Sequence, residues 1–339
     1  MRNFKLTDFV VPAVVFLFTS CSGSPKQVSP DSSVNPNTSK KETGTFVDTA
    51  AYKKLVQYIS HGDTTGRWPV KDSFPRAGAI LPFNRIVSYY GNLYSKQMGI
   101  LGELPKDSMF RKLKSEVKKW SEADSMLPVI PALHYICVTA QSAPGAGNTY
   151  RLRMPFHQID TILKWAKEIN ALVFLDVQVG LSTLDKELPQ LEKYLALPNV
   201  HLGIDPEFSM KTGKKPGSVI GTFDAADINW VTNYLKGIVE KNNLPPKILV
   251  IHRFTQAMVT NAKKIKHNPS VQVVMDMDGW GIAARKVNTY RSFIYPEPVQ
   301  FTGFKIFYKN DTKRVNATKE MQPADVLKLT PQPVYIQYQ

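Results

Sequence analysis

Cysteine is almost missing: there are two in 339 residues, Cys21 and Cys137. That rules out a disulfide framework and a cysteine-ligated metal. Cys137 lies in Tyr135-Ile136-Cys137-Val138 and reads as a small buried hydrophobe. A run of about 20 apolar residues, which a comfortable membrane span needs, is also missing. The apolar stretch from Phe9 to Phe18 is shorter and is broken by Pro12. No glycine-rich phosphate fingerprint follows the first strand-like segment, which argues against a doubly wound nucleotide fold. Acids are scarce, 28 against 43 basic residues, for a net charge of +15. Such a surplus invites a nucleic-acid partner. The lysines are dispersed, however, and the chain start points to export, so no nucleic acid is expected. The surplus reads as a solvated lysine-rich surface.

The basic residues Arg2 and Lys5, the short apolar stretch and the small residues before Cys21 together make a signal peptide over residues 1–20. Phe18-Thr19-Ser20-Cys21 resembles a bacterial lipobox, with Phe18 where leucine is usual. The resemblance implies cleavage before Cys21 and lipidation of that residue. The partner is then a bacterial membrane, with the domain periplasmic or surface-exposed in the cell envelope. One acyl chain binds membranes marginally, so stable anchoring takes several. Residues 21–47 are rich in Ser, Pro, Asn, Thr and Lys and read as a flexible tether. Residues 48–339 have the length and apolar fraction of one large domain.

That domain alternates strand and helix. Strand-like segments are expected at 85–91, 127–138, 172–179, 200–207, 247–252, 271–278, 301–308 and 334–338. Helices are expected at 108–121, 155–169, 184–197, 224–240, 255–266, 282–293 and 323–329. Eight strands alternating with helices argue for a (β/α)8 TIM-type barrel. No helix follows the eighth strand, and a helix at 47–59 could cover that gap.

Along these strands apolar residues come first and ionisable ones last. Alternation puts Phe174, Asp176 and Gln178 on one face of strand three, and Gly203, Asp205 and Glu207 on one face of strand four. Val274, Asp276 and Asp278 share a face of strand six. His134, His252 and Lys305 hold comparable late positions on strands two, five and seven. Barrel enzymes keep their active sites at this C-terminal end, and an inward carboxylate is costly unless paired. Tyr89 and Tyr90 at the end of strand one, Trp280 after strand six and Phe307 are candidate aromatic platforms for sugar rings. The loops at 208–223 and 141–150 are long enough to serve as lids.

Asp205-Pro206-Glu207 is the sharpest motif. Pro206 lacks an N–H, so the strand ladder ends there. The D-x-E resembles the end of strand four in family-18 chitinases and family-25 lysozymes. The fuller acidic pattern of the chitinases is absent, with Gly203 in one of its acidic places. The segments around Tyr89-Tyr90-Gly91, Met98–Glu103 and Gly303–Tyr308 also look like a group of secreted bacterial barrel proteins, which implies fold more than activity. The chitinase-type resemblance implies glycoside hydrolysis on an extracytoplasmic glycan. Glu207 would be the acid, with Asp205, Asp176 or Asp278 as its partner. Tyr90, His134, Gln178, His252, Asp276, Trp280 and Lys305 would bind substrate. No cofactor and no metal ligand is expected on this reading. Two alternatives stand beside it. One is a divalent-metal-dependent hydrolase, for example of phosphodiesters, using Asp176, Asp205, Glu207, Asp276 and His252; a His-x-His zinc pair is missing. The other is a non-catalytic glycan-binding lipoprotein.

Overall fold

Eight strands pair side by side in parallel: β1 (Arg85–Gly91), β2 (Val129–Ala140), β3 (Leu172–Val177), β4 (Val200–Ile204), β5 (Lys247–Arg253), β6 (Val271–Met277), β7 (Phe301–Ile306) and β8 (Tyr335–Tyr338). β8 returns to β1 with Ile86 opposite Tyr335 and Ser88 opposite Gln337, so the sheet closes into a (β/α)8 barrel. This computed structural model describes residues 46–313 and 320–339. The expected signal peptide, Cys21 and all of the tether up to residue 45 lie outside the described residues.

Side chains of one parity on each strand face the helices, and those of the other parity fill the barrel. The outer set includes Val87, Leu133, Leu175, Leu202, Leu249, Val273, Phe304 and Ile336, packed under the surrounding helices. The inner set starts apolar, with Ile86, Ala132, Phe174, Ile248, Val250, Val274 and Phe301. Tyr52 and Ile59 of the helix Thr49–Ile59 pack against this inner set, together with Leu81, Leu127 and Val334 from just before the strands. The helix therefore plugs the N-terminal end of the barrel, and the expectation that it covers the gap after strand eight is corrected. The long helix Lys106–Ala123 packs on β1 and β2 and reaches β8 through one side chain. Its Trp120 indole donates to the Tyr338 hydroxyl at 2.9 Å.

The helix Ala225–Lys241 starts where its sequence says it should. Asp224 accepts from the Ala226 N–H and Asp227 accepts from the Asp224 N–H, a reciprocal capping box. Two expected helices fail. Pro189 has no N–H to give and splits 184–197 into Leu184–Glu187, a 3-10 turn Leu188–Leu191 and Glu192–Leu195. At 255–266 there is no α-helix. Val259-Thr260 pairs with Phe223-Asp224, and Asn261 takes a left-handed conformation. The Thr260 hydroxyl and Asn261 amide both donate to the Asp224 carboxylate, so side-chain bonds outbid the helical pattern there. Near the end of the expected helix 282–293, the α-helix Ala283–Thr289 widens to a π-turn over Tyr290–Ile294.

Candidate active site

Above the apolar layer the barrel interior turns polar, and the side chains meet one another. Tyr335 and Gln337 of β8 flank His134 of β2. The His134 Nδ1 lies 2.5 Å from the Tyr335 hydroxyl and 3.1 Å from the Gln337 amide nitrogen. The His134 Nε2 lies 3.2 Å from Asp176 Oδ1, and the His252 Nε2 lies 3.4 Å from the same oxygen. Asp176 Oδ2 accepts from the Tyr90 hydroxyl at 2.9 Å. On the far side of the His252 ring, Nδ1 is 3.1 Å from Asp278 Oδ2 and 3.6 Å from Asp276 Oδ2. Lys305 pairs with Asp278 Oδ1 at 2.9 Å while its ammonium lies 3.9 Å from the centre of the Tyr90 ring.

Glycine makes this crowding possible. A Cβ on Gly203 would stand 2.4 Å from both Asp176 Oδ1 and His134 Nε2, and one on Gly303 would stand 2.4 Å from Asp276 Oδ1. Gly203 thus occupies the place where a carboxylate would collide with the charged layer. Gly203→Ala should force these buried rings and carboxylates aside. Overpacking of this kind costs about 1–3 kcal/mol, and thermal melting should show the loss. An unchanged melting temperature would mean that the layer is loosely held.

A cavity of 640 Å³ opens above the layer. That volume falls inside the range of about 300–1,000 Å³ found for small-molecule sites. Tyr90, Gln178, Asp205, Glu207, Asp278, Trp280, Lys305 and Phe307 all line it, so eight of the sequence-selected residues share one mouth. His134, Asp176, His252 and Asp276 are fully buried and form the layer beneath it. Tyr89 is corrected: it faces outward, against Tyr308 and Tyr338, and offers nothing to the mouth. Phe307 does line the cavity, as do Arg285, Phe254 and Met98, which the sequence did not single out. Tyr335 and Gln337 also went unnoticed, although their alternate spacing on a strand marks both as inward-facing. Of the two long loops, 208–223 is tied to the site. The Gly221 N–H donates to the Glu207 carbonyl at 2.6 Å, and Phe208 lines the mouth.

Glu207 is not on the strand. β4 ends at Ile204, and Pro206–Phe208 form a 3-10 turn capped by Asp205, whose Oδ1 accepts from the Glu207 N–H at 3.0 Å. The expectation that Asp205 and Glu207 share a strand face is corrected: the proline turn brings both to the cavity. Gln178 approaches Asp205 Oδ2 at 3.4 Å, and its own carbonyl is fixed by the Ala140 N–H at 3.1 Å.

The environments of these carboxyls push them apart. Burial, reinforced by Asp278, raises Glu207 to about 7. Burial and the nearby Glu207, Asp176 and Asp278 raise Asp205 well above the usual carboxylate range. Asp278 is also penalised by burial, but Lys305 and His252 outweigh that and hold it below its ordinary value. Burial likewise opposes the charge on Asp176, yet His252 and His134 keep it ionised. Burial would strip His252 of its proton, but Asp176 and Asp278 prevail and raise its pKa well above normal. Burial lowers His134 to about 4, so that ring is neutral near pH 7.

No protein-family model matches the chain, and no curated protein does. Several solved structures are similar in fold. A family GH18 chitinase from Cycas revoluta, in complex with allosamidin, aligns over 75% of this chain and 94% of its own, at 10% identity and a TM-score of 0.38. A ruminal GH26 endo-β-1,4-mannanase aligns over 90% of this chain and 66% of its own, at 11% identity and a TM-score of 0.34. A dihydropteroate synthase from Coxiella burnetii, in complex with pteroic acid, aligns over 75% of this chain and 87% of its own, at 13% identity and a TM-score of 0.30. The likeness is one of fold. Fold does not imply function, and the chemistry has to be argued from the mouth itself.

Proposed function

We propose that the domain is a glycoside hydrolase acting on an extracytoplasmic glycan, with Glu207 as the general acid. The observation that carries this reading is the contrast at the cavity wall. Glu207 lines the mouth with a carboxyl raised to about 7, while Asp278 on the same wall stays ionised beside Lys305. A protonated and an ionised carboxyl facing one cavity are what glycosidic bond cleavage needs. Asp205 orients the Glu207 turn, and burial among neighbouring acids favours its protonated form. Trp280, which is 45% exposed, and Tyr90 would offer ring faces to a sugar. The test is a polysaccharide screen with the purified chain, followed by the Glu207 variant. A folded chain that cleaves no glycan across such a screen would remove the reading.

The domain is further proposed to be held at a bacterial envelope membrane through lipid on Cys21, which rests on the lipobox-like sequence before it. Cys21→Ser should then shift the chain from the detergent-requiring membrane fraction to the soluble fraction, or leave it unprocessed. Identical fractionation of variant and wild type would exclude the anchor.

A further inference from the structure

Three ring and carboxylate atoms in the buried layer aim at one space and lack any hydrogen-bond partner there: His134 Nε2, Asp176 Oδ1 and His252 Nε2. All three residues are fully buried. Leaving such atoms unpaired is costly, and native folds rarely do so without a reason. Imidazolium–carboxylate pairing does not repair it. The two ring nitrogens approach Asp176 Oδ1 at 3.2 and 3.4 Å, but no aligned hydrogen bond forms.

We propose that His134, Asp176 and His252 bind a divalent transition-metal cation of the zinc class. Zinc bonds of about 2.0–2.1 Å to nitrogen and oxygen set neighbouring tetrahedral ligand atoms about 3.3 Å apart. The two contacts to Asp176 Oδ1 match that spacing. The outer sides of the ligands are arranged for the same task. A metal-binding histidine donates its second N–H to a fixed acceptor. The His134 Nδ1 is in hydrogen-bond contact with the Tyr335 hydroxyl, while the His252 Nδ1 lies 3.1 Å from Asp278 Oδ2, within reach of that acceptor but not aligned on it. Each ring can then present a bare Nε2 to the shared space, and the Tyr90 hydroxyl holds the second oxygen of Asp176 aside. Gly203 keeps the approach of His134 to Asp176 free of a side chain. Glu207 and Asp205 are not among its ligands, and Asp278, the ionised carboxyl of the hydrolase reading, enters only behind the His252 ring.

The experiment measures metal on the purified full-length chain by mass spectrometry, and thermal melting after adding Zn²⁺, Co²⁺ or Mn²⁺ to chelator-treated protein. About one equivalent of metal per chain is expected. Ligand at about a hundredfold over its Kd should raise the melting temperature by about 5 °C or more. The Co²⁺ form should show the visible bands of a nitrogen- and oxygen-ligated low-coordinate site. His134→Gln and His252→Gln should lose the metal, while Glu207→Gln should retain it. Wild-type chain with no bound metal and no thermal shift from any of the three ions overturns the proposal, whether or not the histidine variants fold. Metal that persists in a folded His134→Gln chain, or that leaves with Glu207→Gln alone, overturns it as well. Glycan cleavage plays no part in these readouts, so failure here is separate from failure of the hydrolase reading.

Discussion

Glu207→Gln should lower glycan turnover by about 10²–10⁴-fold, the usual contribution of general acid catalysis. The amide keeps the shape and the hydrogen bonds of the side chain but has no proton to give. The loss should fall on kcat, with substrate binding and thermal melting kept. The acid must be protonated to act, and Glu207 titrates at about 7. Turnover of the wild type should therefore hold on the acid side and fall as pH rises through about 7. That alkaline limb should vanish in the variant. Asp205→Asn should hurt comparably, because it changes the group that caps the turn carrying Glu207. Asp107→Asn, at a side chain 77% exposed on the outer helix, should change nothing. A folded Glu207→Gln enzyme with wild-type turnover would remove this residue from the acid role. The same shift has a stability counterpart. The folded pKa of Glu207 lies above its unfolded value, so its contribution is full below about 4.5 and is lost as pH rises through about 7. The variant should thus be no less stable than the wild type in alkaline buffer.

Deleting residues 333–339 should abolish cooperative folding. β8 pairs with β1 on one side and β7 on the other, with Phe304 opposite Ile336. Its loss would open the barrel and leave two strand edges unpaired. It would remove Tyr335 from the inner apolar set and Ile336 from the outer one. It would also strip His134 of both partners on Nδ1 and Trp120 of the Tyr338 hydroxyl. Burying a large side chain is worth about 1.5–3 kcal/mol, and four buried side chains, Val334, Tyr335, Ile336 and Tyr338, go at once against a total stability of about 5–15 kcal/mol. Thermal melting followed by circular dichroism checks this. A truncated chain that melts like the full one would show that closure does not depend on this strand.

The barrel was legible because its strands are short apolar runs with polar ends, and that pattern survives any choice of exact boundary. Asp224-Ala225-Ala226-Asp227 announced its helix for a local reason, since the capping bonds lie within four residues. The failures were non-local or set by single residues. Thr260 and Asn261 are drawn into a two-strand pairing by Asp224, 36 residues earlier in the case of Thr260, which periodicity around 255–266 cannot register. The helix Thr49–Ile59 has the face needed to cover a strand, and only the tertiary fold sends it to the barrel end. Asp205 and Glu207 were found for the right side of the barrel but by the wrong geometry, because a strand was carried through Pro206 where a turn begins. Inward parity brought Asp176, His252 and Asp278 together correctly. The same rule applied to Val334–Tyr338 would have found Tyr335 and Gln337.

The apolar lower barrel and the polar upper barrel divide the molecule along its axis. Ile86, Phe174, Ile248 and Phe301 form the inner apolar layer, while Glu207, Trp280 and Arg285 line the cavity at the rim. Rim residues can accordingly be exchanged over many generations with little risk to folding. Descendants of such a chain are free to change what the cavity accepts. Intact folding in any one of them is then no guide to what its cavity does.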